Sequence, residues 1–415
     1  MDTPVPLPTT TAAWLRQSDL ADFVPIYWQY LSERRYAAST RRTYLCSIAH
    51  FAHWLTQEQR PAHDLGGDDI RRFLDQHLPQ CTCPPPVRRS RSDVRAALRH
   101  LRALLCDRDG AAHQQAASAI DEELRRFDAY LHHNRGLASN TRAQRLRILR
   151  LFLLHTSGPE QVELTPLSAG HLRQFAGDTL ERWSAASAHV LMGTLRSYLR
   201  FRAFCGDRVE HLLPVLQSPA NWRLASLPDT LAPTEVARLL AAFPPELPSR
   251  YRAYAMVRCM VDLGLRASEV IALDLDDIDW GAGTIRIGPT KSRRMDLLPL
   301  PQPTGHAIAS YLRLERPPTD SRRVFVRHVA PVGEPIGPGV VRRAVREAFQ
   351  RCGLPHTRVH VLRHTLAGRL LDGGATLKEV SDVLRHRALD TTLIYAKIDT
   401  ARLVAVALPW PGGAL

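Results

Sequence analysis

The stretch RVHVLRHTLAGRLL, residues 358–371, carries two imidazoles and a guanidinium, His360, His364 and Arg363. Spacings of three and four would set them along one helical face. Leu362, Leu366 and Leu370 form a second stripe that reads as core. Imidazoles trade protons near neutral pH, and a guanidinium neutralises an oxyanion bidentately. The same pattern also fits a basic surface face on an amphipathic helix, so the rest of the chain decides. A metal hydrolase built on His360 and His364 would want Glu at the intervening first position. Val361 stands there instead.

Further groups are spaced along the C-terminal half. Arg266 lies in LGLRASEVIAL, preceded by Gly264 and followed by Glu269. Lys291 lies in GPTKSRR, His386 ends VSDVLRH, and Tyr395 lies in LDTTLIYAKI. Among 55 basic residues Lys stands only at positions 291, 378 and 397, and every other one is Arg. A Lys that persists in such a chain can do what Arg cannot, such as give up a proton.

The elements that position these groups are legible in outline. At 415 residues the chain is long enough for two or three domains. It has no apolar run of about 18 residues, so no membrane span is expected. Its start lacks a signal-peptide pattern. Seven scattered cysteines, an odd number, fit a reducing cytoplasm better than a disulfide framework. CTC at 81–83 could form a metal site with His77, but no second Cys pair stands at zinc spacing, and no metal is expected. A formal net charge of +14 points to a polyanionic partner, of which nucleic acid is the commonest.

An internal repeat is visible. YLSERRYAASTRRTYLCSIAHF (30–51) matches YLHHNRGLASNTRAQRLRILRLF (130–152), with Tyr30 on Tyr130 and Ala38-Ser39 on Ala138-Ser139. A one-residue insertion then brings Phe51 onto Phe152. Each copy reads as a four-helix unit, in which the segment after Ser39 or Ser139 begins with an N-cap-like Ser, Thr or Asn and continues with apolar spacing of three and four. The Pro-punctuated segment 212–233 reads as a linker, and TEVARLLAAF opens a new domain. TIRIGPTKSRRMDLLPL (284–300) is the clearest hairpin, and RRVFV (322–326) a third strand candidate.

In family order, the chain carries G-L-R-x-S-E around Arg266, a hairpin Lys, H-x-L-R-H at 360–364, a box ending in His386, and T-T-x-x-Y ending in Tyr395. This set resembles the tyrosine recombinases, the family of phage and transposon integrases and chromosome-dimer-resolving enzymes. The resemblance implies a mainly α chain: helical N-terminal DNA-binding domains, then a mixed α+β catalytic domain with a small antiparallel sheet. It implies a degenerate core-binding repeat at 1–112, a core-binding domain at 118–208, a linker at 209–227 and the catalytic domain at 228–410. It implies double-stranded DNA as partner, a homotetramer on synapsed DNA with or without other recombinases, and a cytoplasmic, nucleoid-associated site of action. The terminal-His box commonly reads L-G-H; here it is Leu384-Arg385-His386, and that Arg would add a DNA contact or perturb the turn. The tail at 401–415 would dock on a neighbouring protomer or pack on its own domain.

The family mechanism is a 3′-phosphotyrosyl intermediate with a free 5′-hydroxyl, needing neither cofactor nor metal. Tyr395 would be the nucleophile, and Arg266 and Arg363 would neutralise the non-bridging oxygens. Lys291 would protonate the leaving oxygen. His360 would handle the Tyr395 proton, and His386 would donate a hydrogen bond to the phosphate. Glu269 would orient Arg266, and His364 reads as packing or support. A non-catalytic DNA-binding protein and a type IB topoisomerase are the alternatives. Arg71, Arg95, Arg99 and Arg102 suggest that the first repeat extends the DNA footprint. A chain starting near residue 115 is therefore expected to cover fewer base pairs and to show a shallower salt dependence of binding. An unchanged footprint and slope would refute this.

Overall fold

The computed structural model describes residues 7–60, 67–85, 87–108, 119–158, 166–181, 183, 185–218, 228–288, 295–356, 358–386 and 392–396. The chain divides into two compact units. One gathers Met1–Gln59, Phe73–Leu101 and Leu224–Leu415, and the other Arg60–Arg72 and Arg102–Arg223.

The second unit is helical. Ile120, Leu124, Phe127 and Leu131 recur at helical spacing on Ala119–His133 and are all buried. They meet Leu149 and Phe152 of Ser139–Ser157 and Leu195 and Leu199 of Ala185–Phe204. One carboxylate lies inside this core. Glu123 accepts hydrogen bonds from Tyr198 Oη (2.8 Å) and Arg202 Nη1 (2.7 Å), which satisfies it away from water. The stretch expected as linker begins as a 3-10 turn, Glu210–Val215. Its Leu212, with Leu216 beyond it, is buried in this same core because the two are spaced four apart on one face.

The repeat is real in the backbone, with one correction. The helix Ala38–Gln57 is capped by Ala37, and Ser139–Ser157 by Ala138, with no side-chain cap at either. Ser39 and Ser139 thus lie inside the first turn rather than at the cap. The preceding turns match as well: Arg35 and Gly136 both have φ 57°, in the left-handed region. Tyr36 N–H donates to Leu31 O, and Leu137 N–H to Leu131 O. The extra residue of the second copy therefore sits between Leu131 and Gly136, upstream of where sequence matching put it.

In the C-terminal part of the first unit, the helix Arg250–Asp262 is buried nearly all round. It packs against Gln302–Leu314, Pro338–Arg351 and Val361–Asp372. Met256, Met260, Ile308, Tyr311, Phe325, Val345 and Phe349 fill the space between them. A three-stranded antiparallel sheet flanks this bundle: β1 (Ile278–Asp279), β2 (Thr284–Ile287) and β3 (Asp296–Pro299), in that order. Ile285 pairs with both Ile278 and Leu298. Ile285 and Ile287 face the core while Arg286 points out, the alternation of a half-buried strand. The fold is mainly α with a small sheet. RRVFV does not join that sheet. Val324 N–H donates to Leu273 O and Leu275 N–H to Arg322 O, so the segment pairs instead with the loop leaving the Arg266 box. Among the described residues, no helix is long and apolar enough to cross a membrane.

Candidate active site

The site grows from a short helix, Ala267–Val270, with Arg266 at its N-cap. Glu269 reaches back one turn: Oε2 accepts from Arg266 N–H (2.8 Å) and Oε1 from Arg266 Nη1 (2.7 Å). Gly264 enters this turn at φ +58°. A Cβ there would lie 2.8 Å from a Leu366 methyl and 2.9 Å from a Leu384 methyl. The turn thus needs glycine for both conformation and space.

Glu269 is 1% exposed and also accepts from Arg385 Nη2 at 2.8 Å. Burial alone would raise its pKa. Arg385, then Arg266 and Arg363, outweigh burial and hold the carboxyl below its ordinary value. Arg385 is itself buried, in the left-handed region at φ 55°. That conformation explains why glycine suits the position. The expected DNA contact does not match this geometry, because the guanidinium points inward to Glu269.

Arg363, 4% exposed, donates from Nη1 to Gly264 O at 2.6 Å and from Nη2 to Leu384 O. It ties the Arg266 turn to the turn before His386. Burial, then repulsion from Arg266 and Arg385, lowers its pKa, and it stays charged at neutral pH.

The short helix Leu393–Ala396 carries Tyr395, which is 2% exposed. Tyr395 Oη lies 2.9 Å from His364 Nδ1. His386 stacks on the Tyr395 ring at 6.2 Å and 9° between planes, and its Nδ1 meets Thr392 Oγ1 at 2.7 Å. Burial raises the phenol pKa, while Arg363 and Arg266 oppose the rise. Burial, then Arg363, Arg266 and Arg385, lowers His386 to about 4. Burial, with His360 and Arg363, lowers His364 too. Both rings are therefore neutral at pH 7.

Four of the six expected residues, Arg266, Arg363, His386 and Tyr395, thus share one site. His360 caps the helix Val361–Asp372 on its exposed side. The imidazole that meets the phenol is its neighbour, His364. Lys291 lies outside the described residues, between β2 and β3. Sequence reasoning missed the inward role of Arg385. The available signal was an Arg where the family box commonly has glycine, in a chain whose Glu269 has two oxygens and one expected partner.

The family comparisons agree with this architecture. Residues 229–402 match the phage integrase family, and residues 25–109 and 124–203 match the phage integrase N-terminal SAM-like domain. The Sinorhizobium fredii protein y4rA, whose name is that of an integrase/recombinase, is 34% identical over 96% of both chains. Tyrosine recombinase XerC of Rhodospirillum centenum is 32% identical over 69% of this chain and 85% of its own. A lambda integrase dimer bound to a COC′ core site shares the fold, with TM-score 0.52 and 15% identity over 71% of this chain and 98% of that one. The chain belongs to the tyrosine recombinase/integrase family, enzymes that transfer DNA strands in site-specific recombination.

Two outcomes follow. Arg385→Ala strands part of a buried ion pair and is expected to lose on the order of 3 kcal/mol in urea unfolding. Arg385→Gly recovers about 1 kcal/mol of that by relieving the left-handed conformation. Equal stability of Arg385→Gly and the parent would show that the pair contributes no more than the about 1 kcal/mol its conformation costs. The second outcome concerns pH. The unfolded chain protonates His386 near the ordinary imidazole value of 6.5, and the folded chain only at about 4. Its stabilising contribution is present above pH 6.5 and is lost as pH falls toward 4. His386→Asn is expected to flatten the decline in stability between about pH 7.5 and about pH 5 by on the order of 1 kcal/mol. A decline as steep as the parent's would sink this assignment.

Proposed function

We propose that this recombinase cuts DNA through a 3′-phosphotyrosyl intermediate and moves a mobile element. The observation that carries the reading is the hydrogen bond between the Tyr395 phenol and His364 Nδ1, beside the arginine cluster. Tyr395 Oη attacks phosphorus, its proton passes to neutral His364, and the bond from phosphorus to the 5′-oxygen breaks. Arg266 and Arg363 neutralise the charge that builds on the non-bridging oxygens. His386, neutral and held by Thr392, is placed to hydrogen-bond that phosphate. His360 lies one turn away on the exposed side and assists the proton relay. Lys291 protonates the leaving 5′-oxygen; this role rests on the family motif. A partner 5′-hydroxyl then displaces Tyr395 and restores the phosphodiester.

Two chains on each of two synapsed duplexes make a tetramer, as the paired cutting of strands requires. Double-stranded DNA in the cytoplasm, at the nucleoid, is the substrate. The helical repeats at 1–112 and 118–208 clamp it, and the domain at 228–410 cuts it. One observation favours a second reading, a chain that binds DNA and cuts only with a partner. Tyr395 is 2% exposed, so a duplex reaches the phenol only after the helix Leu393–Ala396 shifts.

Covalent trapping separates these readings. With nicked duplexes tiled across the DNA flanking its gene, the chain is expected to form an SDS-resistant adduct that Tyr395→Phe abolishes. His364→Ala is expected to slow adduct formation about 100-fold. Tight binding to a tile with no adduct on any tile would favour the partner-dependent reading. An adduct that survives in Tyr395→Phe would refute the mechanism.

A further inference from the structure

A second chemistry-bearing cluster lies in the first helical repeat. His50 sits midway along the helix Ala38–Gln57 and is fully buried. His77 ends a π-helical turn, Phe73–His77. Cys81, in extended backbone, follows the short helix Leu78–Gln80, and Cys83 lies two residues on. One donor atom from each of the four converges, all within 4.8 Å of one another. His50 Nε2 lies 3.2 Å from His77 Nε2 and 3.1 Å from Cys81 Sγ, and Cys83 Sγ lies 3.7 Å from His77 Nε2.

Zinc bonds of about 2.0 Å to nitrogen and about 2.3 Å to sulfur set tetrahedral ligands about 3.3–3.8 Å apart. The separations of 3.1, 3.2 and 3.7 Å lie close to those of such a shell. The donor set also suits zinc: two thiolates neutralise its charge, and two imidazoles complete the tetrahedral shell. Such an assembly is neutral overall, so it can sit in an apolar surround. Phe73 provides that surround, edge-on to His50 (5.1 Å, 75°) and stacked on His77 (5.1 Å, 17°). Trp54 packs on His77 from another side. Arg89 Nη2 holds the Cys81 carbonyl at 3.1 Å, fixing the loop that presents both sulfurs.

Two features of the backbone support a built site. A π-helical turn is rare, and where it occurs it is frequently at a functional site. Here it delivers His77 to His50. The second copy of the repeat offers a comparison. Counted from the helix starts, Leu151 takes the place of His50, and it is 48% exposed. Inward burial at this helix position therefore belongs to the copy that carries the cysteines.

We propose that His50, His77, Cys81 and Cys83 bind one structural zinc ion through Nε2, Nε2, Sγ and Sγ. Each cysteine loses its proton to solvent as the metal binds. All four positions of the shell are protein ligands, so the site is closed to substrate and does no chemistry. It fastens the helix Ala38–Gln57 to the segment that carries the π-turn and the two cysteines. A sequence search for a second Cys pair overlooks this site, because the fourth ligand is a histidine 27 residues before His77.

Metal analysis of the intact chain tests the proposal. Chains purified from zinc-supplemented growth are expected to hold about one zinc each. Cys81→Ser/Cys83→Ser is expected to lower that content at least about tenfold, and the control Cys205→Ser/Cys352→Ser to leave it unchanged. Cobalt added to the metal-stripped parent is expected to give the visible absorption of a tetrahedral thiolate site and to shield Cys81 and Cys83 from alkylation. The cobalt and alkylation results decide the matter even if the double variant fails to fold. A parent chain that takes up neither metal, or a double variant that keeps its zinc, would overturn the proposal and leave a hydrogen-bonded cluster only.

Discussion

The catalytic region depends on one buried carboxylate. Glu269 is 1% exposed and binds Arg266 and Arg385 directly, with Arg363 close enough to lower its pKa. Like charges about 4 Å apart repel by roughly 4 kcal/mol near a protein surface, and by more inside. Three guanidiniums could not gather here without a counter-charge. Glu269 offsets part of that repulsion and leaves the cluster positive. A positive, preorganised site is what a phosphodiester carrying extra charge in its transition state requires. The same residues hold the backbone. Arg363 bonds Gly264 O and Leu384 O, so the turn before Arg266 and the turn before His386 move as one.

Most of the candidate site was legible in the sequence because the chemistry proposed for it dictates residue types that cheaper alternatives do not replace. The ordered set of Arg266, Arg363, His386 and Tyr395 needed only its spacing to be noticed. The sheet and the bundle were legible for the same kind of reason: TIRI alternates, and the helices repeat at three and four. What stayed hidden depends on contacts between distant segments. Nothing local says that Arg385 turns inward, because its partner lies 116 residues away. Nothing local says that His364 rather than His360 meets Tyr395, because the two stand one turn apart on one face and only the placement of Tyr395, 31 residues on, decides it. RRVFV has strand composition, yet its hydrogen bonds go to Leu273 and Leu275, which sequence cannot pair with it.

The repeat shows how the same limit acts on alignment. Identical letters at Ala38-Ser39 and Ala138-Ser139 invite a register of 100. The backbone prefers 101, because the left-handed turn residue must fall at Arg35 in one copy and Gly136 in the other. Conformation, not residue identity, fixes equivalence there. The first copy tolerates Arg in a conformation that costs an L-residue about 1 kcal/mol, which is a small sum for a turn so well bonded. Arg385 repeats the pattern within the active site, where a buried ion pair offsets the same cost.

The forces that hold the site at rest are those that would drive it. Burial keeps the Tyr395 phenol protonated, while Arg363 and Arg266 pull its pKa the other way. His364, kept neutral by burial, can accept a proton only while its neighbours' charges are balanced. A bound phosphate would bring negative charge to the arginines. That charge weakens their pull on the phenol, yet it also makes a protonated His364 less costly. The two effects act on opposite ends of one 2.9 Å hydrogen bond. A bound phosphate would therefore raise the proton affinity of phenolate and imidazole alike, so the transfer proposed from Tyr395 to His364 is governed by the difference between the two, set by which end of the bond lies nearer the added charge.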